Sequence, residues 1–191
     1  MKPTLISATL ALLLAASGAT AQTWTLDAEA SRLAFGSVKN AYIGETHTFE
    51  GLSGTVSRDG AVAIDIPLSG VATNIDIRNE RMIEYVFANA PRAKLTADLD
   101  MDEISSMRPG ETMTMELDAN LAFLDNDVPV FTEVFVARLS PRSVMVTTND
   151  MLFLATDELG IDSGIDALQE LASLDSITRS TPVTVRLMFE R

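Results

Sequence analysis

Apolar and polar residues alternate with period two along much of this chain. From Thr112 to Phe123, Met113, Met115, Leu117, Ala119, Leu121 and Phe123 share one face, and Thr114, Glu116, Asp118 and Asn120 make up most of the other. Such alternation marks a strand buried on one side. Val62, Ile64, Ile66 and Leu68 repeat it, as do Leu95, Ala97, Leu99 and Met101, and Val183, Val185, Leu187 and Phe189. Shorter strands are expected over residues 24–26, 32–38, 46–52, 54–58, 128–139, 143–148 and 151–155. Arg58-Asp59-Gly60, Arg108-Pro109-Gly110, Asp125-Asn126-Asp127 and Ser140-Pro141-Arg142 supply turns between them.

Two stretches carry a helical period instead. Over residues 79–88, Met82, Ile83, Val86 and Phe87 fall on one helix face, and Pro91 stops the segment. Over residues 161–174, Ile161, Ile165, Leu168 and Leu171 recur at near-helical spacing with Gly164 inside the pattern. The run from Val130 to Phe135 is apolar on both faces, and the Ile161 helix is the expected cover for the second one. Many strands, few helices and short turns describe an antiparallel barrel or sandwich. Twelve residues rising about 3.3 Å each span roughly 40 Å, and a tilt near 40° leaves roughly 30 Å along a barrel axis, room for an elongated ligand.

The first residues add an address. Lys2, an apolar run over residues 5–16 and the small residues Ser17-Gly18-Ala19-Thr20-Ala21 have the order of a secretory signal cut between Ala21 and Gln22, leaving residues 22–191 as one domain. The run is shorter than the roughly 20 residues a membrane span needs. The absence of cysteine removes disulfides, thiolate catalysis, cysteine-based zinc or iron–sulfur sites and a lipid anchor at the cleavage site, so a released, soluble domain is expected. With 14 basic and 27 acidic side chains, the net charge of −13 repels phosphate backbones and anionic headgroups, which argues against nucleic acid and membrane adsorption.

Catalytic signals are sparse. The single histidine, His47, alternates with Glu45 and Phe49, and a lone strand histidine is expected at a surface or rim. Gly51-Leu52-Ser53-Gly54-Thr55 departs from the nucleophile elbow at its last position. Asp98-Leu99-Asp100-Met101-Asp102 opens like a calcium loop, but Glu103 stands at the turn glycine and Pro109 at the closing glutamate, so the run reads as the solvated face of a strand. Neither a dinucleotide nor a P-loop glycine pattern is present. No cofactor and no metal are expected, and an enzyme is not.

Thr23-Trp24-Thr25-Leu26-Asp27, then Ser31 to Phe35, then Thr48-Phe49-Glu50-Gly51-Leu52-Ser53-Gly54-Thr55-Val56, resembles the N-terminal half of the YceI-like family of periplasmic polyisoprenoid-binding proteins. Ser69, Thr73, the segment Arg78-Asn79-Glu80-Arg81-Met82 leading into Val86-Phe87, and the last strand extend the likeness over nearly all of residues 22–191. The resemblance implies an all-β fold, an extended eight-stranded antiparallel lipocalin-like barrel with one or two short helices. It further implies an apolar tunnel for an isoprenoid, quinone-like or fatty-amide ligand, and a Gram-negative periplasm.

Two function classes follow, a carrier of a long apolar ligand and a ligand-free interaction module of the cell envelope; an uncharacterised hydrolase is a weaker third. For the carrier, the candidate tunnel residues are Phe35, Phe49, Ile66, Phe87, Met113, Met115, Leu117 and Phe123, each equally suited to plain core packing. Arg78 and Arg81, three apart on one helix face, are the candidate contacts for a polar head group, or else solvated charges beside Glu80 and Glu84. The leader reading predicts Gln22 as the first residue of the exported protein. N-terminal sequencing that allows for cyclised glutamine checks it, and an intact Met1 would contradict it.

Overall fold

The computed structural model describes residues 23–191, so the expected leader and its cleavage site lie outside the described residues. The alternating segments form β1 (Trp24–Leu26), β2 (Arg32–Lys39), β3 (Ile43–Phe49), β4 (Ser53–Val56), β5 (Ala61–Pro67), β6 (Val71–Ala72), β7 (Arg92–Asp98), β8 (Thr112–Phe123), β9 (Asn126–Ser140), β10 (Ser143–Thr148), β11 (Leu152–Ala155) and β12 (Ser180–Glu190). Three helices interrupt them: α1 (Asp76–Arg81), which runs on into one π turn, Met82–Val86, then α2 (Met101–Ser106) and α3 (Asp162–Leu171).

All pairings are antiparallel, and the order β1-β4-β5-β7-β8-β9-β10-β12 closes on itself because β12 returns to β1 through Thr25↔Glu190 and Leu26↔Phe189. The result is the eight-stranded, lipocalin-like barrel that the family resemblance implies. Toward the other end β2 replaces β1 beside β12, β3 continues into β4, β6 prolongs β5 and β11 prolongs β10. Several barrel staves are thus pairs of short strands bent where alternation breaks, around residues 27–31 and 50–52. The longest ladder, β8 with β9, runs unbroken from Phe123↔Asn126 to Thr112↔Ala137.

One end is shut by α2. Asp100 caps this helix, its carboxylate accepting the Asp102 N–H at 2.9 Å, and Ile104 is buried. The strand expected to reach Met101 therefore stops at Asp98, since an aspartate that satisfies a free helix N–H favours the turn into a helix. Beside that end Trp24 is flanked by two guanidinium groups, Arg138 at 4.8 Å and Arg191 at 4.4 Å from its ring centre. Arg138 is buried and donates from Nη2 to the Pro141 carbonyl at 2.7 Å; burial, then the nearby Arg191, lowers its pKa.

The opposite end is covered by α1, its π turn and α3. The helix expected over residues 79–88 begins earlier, at Asp76, and its second half is the π turn that buries Met82 and Val86. The expected turn at Asp125-Asn126-Asp127 also shifts: Leu124 (φ 52°) and Asp125 make it, and Asn126 and Asp127 already belong to β9. The larger correction concerns α3, which packs on the π turn and not over the outer face of β9. Phe131 on that face stays 69% exposed.

Gly164 explains where α3 sits. A Cβ at this position would lie 2.6 Å from the Val86 Cα and closer still to the Tyr85 carbonyl oxygen, so only glycine lets the two backbones meet. Gly164→Ala sets a helix-propensity gain near 1 kcal/mol against a backbone clash that costs about 1 to 3 kcal/mol. Net destabilisation in chemical unfolding is the expected outcome; a stabilised variant would show that the contact is soft.

Candidate functional site

Two cavities abut inside the barrel, one of about 460 Å³ beneath α1 and α3 and one of about 120 Å³ next to α2. Leu33, Ile66, Leu95, Leu117, Val134 and Val185 line both, so they form a waist between an upper and a lower lobe. The lower lobe is walled entirely by apolar residues, among them Val56, Met101, Met115 and Phe189, and a cavity of that kind stays dry. The upper lobe falls in the size range of small-molecule sites.

A train of aromatic rings runs along the upper lobe. Phe35 stacks on Phe49 at 5.1 Å, Phe49 meets Phe87 at 5.8 Å, and Phe87 meets Phe123 edge-on at 6.0 Å. Of the tunnel residues expected from sequence, Phe35, Phe49, Phe87 and Phe123 line the upper lobe, Met115 the lower, and Ile66 and Leu117 both. Met113 lines neither; it lies near the start of β8 and packs against the core. The alternation that selects a face does not say how far along the strand the hollow extends.

One end of the upper lobe is polar. Strands β2 and β3 pair Phe35 with His47 and Ser37 with Glu45, so the parity that turns Phe35 and Phe49 inward also turns in Ser37, Lys39, Glu45 and His47. His47 is therefore not the surface or rim residue expected, but only 4% exposed. Its Nε2 lies 3.2 Å from the Ser37 hydroxyl, and its Nδ1 is buried with no hydrogen-bond partner among the described residues. Its alternation with Phe49 was the available signal.

Both candidate arginines line this lobe. Arg78 donates from Nη1 to Glu45 at 2.7 Å and from Nη2 to the Thr73 carbonyl at 2.7 Å, while its Nε is buried without a partner among the described residues. Lys39 adds a second contact to Glu45 at 3.0 Å. Arg81 reaches the Leu171 carbonyl at 3.4 Å, at the C-terminal end of α3 where a cation is favoured, and so ties the two covering helices together.

Burial raises the Glu45 pKa, but hydrogen bonds from Arg78 and Lys39 and their charges outweigh it and leave the carboxyl below its ordinary value. Burial, then Arg78, lowers the His47 pKa against a smaller opposing pull from Glu45. A serine–histidine contact serves nucleophilic catalysis when the imidazole is basic and a third group orients it. Here the imidazole is made less basic and its second nitrogen is unpartnered, so the pair offers a hydrogen-bonding spot within an apolar hollow. Among the described residues no three His, Asp or Glu side chains gather as a metal site.

This chain is similar to a solved polyisoprenoid binding domain from Saccharophagus degradans implicated in plant cell wall breakdown: 35% identity over 87% of this chain and 97% of that one, with a TM-score of 0.85. It belongs to the YceI-like family. A second solved structure, BcnA of Burkholderia cenocepacia, shares the fold at 12% identity and a TM-score of 0.65, over 85% of this chain and 98% of that one. No protein-family model and no curated protein matches the chain.

The YceI-like pattern of single residues has a structural basis here. Buried Thr73 gives both its hydroxyl (2.6 Å) and its N–H (2.9 Å) to the Asn79 side-chain oxygen, while Arg78 holds the Thr73 carbonyl, so threonine and Arg-Asn together fix the start of α1 at the barrel mouth. Ser69 lies in the single turn Leu68–Gly70 that joins β5 to β6.

The buried histidine predicts a pH response. Because its folded pKa is depressed, the unfolded chain binds the proton more readily below the ordinary value of 6.5, and stability is lost as pH falls from there toward the folded value. Glu45, also depressed, loses its contribution in a separate window below its ordinary 4.5. Chemical unfolding at about pH 7.5 and about pH 5.5 should show lower stability at the acid point, and His47→Gln should shrink that difference. An unchanged slope in the variant would assign the response elsewhere.

Proposed function

We propose that this protein is an exported carrier, residing in the periplasm after loss of residues 1–21, that holds a long apolar isoprenoid, quinone-like or fatty-amide molecule in its barrel. The observation that carries the reading is the two-lobed hollow, aromatic and aliphatic along most of its length, with a few threonines on its wall and its charged and imidazole groups gathered near Ser37, His47 and Arg78. A packed core of this size leaves few voids larger than a water molecule. The name of the solved relative, a polyisoprenoid binding domain, supports the same ligand class.

The tail would lie against Phe35, Phe49, Phe87 and Phe123 and pass the Ile66–Leu117 waist toward Met115. The polar end would meet the unpartnered Nδ1 of His47 and Nε of Arg78, with Arg81 at the lobe's helical cover. Binding, not turnover, is the activity these groups serve, and it requires no cofactor or metal.

Leu117 is the decisive position because it lines both lobes. Leu117→Trp should abolish lipid uptake while leaving the thermal stability of the ligand-stripped protein unchanged. In a filled barrel the same change overpacks, at a cost of about 1 to 3 kcal/mol. Native mass spectrometry of the protein from its own envelope, read with thermal unfolding of the variant, separates the two. A stoichiometric apolar molecule on the parent supports the carrier; a clean parent and a destabilised variant would instead leave an interaction module.

A further inference from the structure

Among the described residues that line the upper lobe, only Ile75, Ile77 and Ala172 are exposed to solvent. Ile75 and Ile77 stand at the start of α1, and Ala172 follows the last turn of α3, so the hollow opens between these two covers. The Arg81 guanidinium, 3.4 Å from the Leu171 carbonyl, bridges them.

The end of the β2–β3 hairpin is fastened to the same rim. Lys39 at 3.0 Å and Arg78 at 2.7 Å share Glu45, which joins β2 and β3 to α1. The Asn40 N–H donates to the Ser176 carbonyl at 2.9 Å, and the Asn40 side-chain oxygen accepts the Asp175 N–H at 2.9 Å, which joins the hairpin to the residues after α3. Held in this way, the hairpin carries Tyr42, 81% exposed, and Ile43, 37%. Ile75 at 44%, Ile77 at 52% and Leu171 at 43% complete an apolar rim. Single exposed apolar side chains are ordinary, but a group of them around the mouth of a hollow marks an interaction surface.

The chemistry of the mouth decides what covers it. Ile75 and Ile77 face the hollow as well as solvent, so a protein seated on them would plug the hollow, whereas a lipid surface would extend its apolar environment outward. With the polar contacts near the mouth and the far end shut by α2, a long apolar cargo has to enter tail first, its head group following. In open water that order exposes the tail; against a bilayer the tail leaves one apolar medium for another. Charge selects the kind of lipid. Asp76, Glu80 and Asp175 are exposed beside the mouth, and the net charge of −13 repels anionic headgroups. A zwitterionic lipid instead offers its ammonium group to these carboxylates. Tyrosine, with an apolar ring and a polar hydroxyl, suits the boundary between headgroups and water.

We infer that the mouth between α1 and the end of α3 docks on the surface of a zwitterionic bilayer through Tyr42, Ile43, Ile75 and Ile77, and that cargo passes through this contact. The inference rests on the carrier reading. The attraction is apolar, so the acidic charge that turns the protein away from anionic membranes does not oppose it.

Tyr42 does not line the hollow, so Tyr42→Asp changes the docking face and leaves the cavity alone. Phe131→Asp, on the side of the barrel, is the control for exposed apolar residues elsewhere. The vesicles are phosphatidylethanolamine and phosphatidylcholine, with or without phosphatidylglycerol, and the cargo is solanesol, supplied in the vesicles or in methyl-β-cyclodextrin. The parent should float with zwitterionic vesicles equally at ~0.05 and ~0.5 M salt, and less once phosphatidylglycerol is added. Tyr42→Asp should lower flotation, and the rate of solanesol transfer from vesicles, about tenfold while leaving uptake from cyclodextrin unchanged. Tyr42→Trp should retain both, with its fluorescence shifted to the blue on vesicles. Phe131→Asp should behave as the parent does. A parent that takes up solanesol from cyclodextrin but does not float, or floats only with phosphatidylglycerol or at low salt, overturns the docking and leaves the carrier standing. Flotation lost in Phe131→Asp and kept in Tyr42→Asp places the contact on the barrel side and overturns it equally. A parent that stays off vesicles but forms a dimer that Tyr42→Asp dissolves gives the rim to a second copy of the chain and overturns the lipid surface. Uptake from neither source removes the carrier and, with it, the passage of cargo through the mouth.

Discussion

Backbone hydrogen bonding around a closed ring is the constraint that shapes this protein. Eight antiparallel staves satisfy their N–H and C=O groups only if β1, three residues long, bridges β4 and β12. Once the ring closes, its circumference fixes how much space lies inside, and inward side chains must fill that space or leave it hollow. Trp24 sits at the joint, buried and flanked by Arg138 and Arg191, so the point of closure is also a heavily packed end. At the other end no strand finishes the job. Helices α1 and α3 cover the mouth, held by Gly164 against the π turn and by Arg81 against the last turn of α3. One end is thus determined by sheet closure and the other by helix docking, the weaker of the two restraints.

The polar cluster inside the upper lobe has to be accounted for energetically. A buried donor or acceptor without a partner costs about 1 to 3 kcal/mol, and both His47 Nδ1 and Arg78 Nε are in that position. The neighbouring charges are better provided for: Glu45 is met by both Arg78 and Lys39, so a single carboxylate is shared between two cations and offsets one of their two charges. An apolar residue at position 47 would avoid the penalty that histidine incurs, its ring lying tilted against Phe35 with centres 5.2 Å apart. In the proposed carrier, a ligand head group that supplied the missing partners would recover the cost on binding, which would make these two atoms a source of selectivity while the apolar walls supplied most of the affinity.

How much of this could be read from sequence depends on what period two encodes. It encodes which residues share a face, and β8 and β10 were legible to their last residue, Thr112–Phe123 and Ser143–Thr148. It does not encode which face is inside when both carry polar residues, and so His47 was misplaced although Phe49, two residues on, marked the inner face. Nor does it register bends between staves, or a cap such as Asp100, whose role depends on the helix that follows. The doubly apolar run at Val130–Phe135 was seen, but its meaning was not: the second face is uncovered, because Gly164 directs α3 elsewhere. The candidate arginines were found by resemblance, as was Thr73 close by, whereas their other partners Glu45 and Leu171 are distant in sequence and invisible to any local pattern.

The apolar lining of the hollow bears on whether a carrier of the proposed kind could let go. Burying a tail of about forty carbons at ~0.8 kcal/mol per methylene gives near 30 kcal/mol before ordering costs, beyond any known non-covalent affinity and too tight for release on a useful timescale. The cost of association and of ordering a flexible chain must be subtracted from that gross figure. The remainder allows both capture and release. The constriction at Leu33, Ile66, Leu95, Leu117, Val134 and Val185 works in the same direction, because a chain must thread it to gain the last contacts in the lower lobe. A larger or fully packed barrel would fail in opposite ways, the first by holding its cargo too long and the second by never taking it up. In the proposed carrier, the incomplete filling that looks like a packing fault is therefore what would leave room for a ligand.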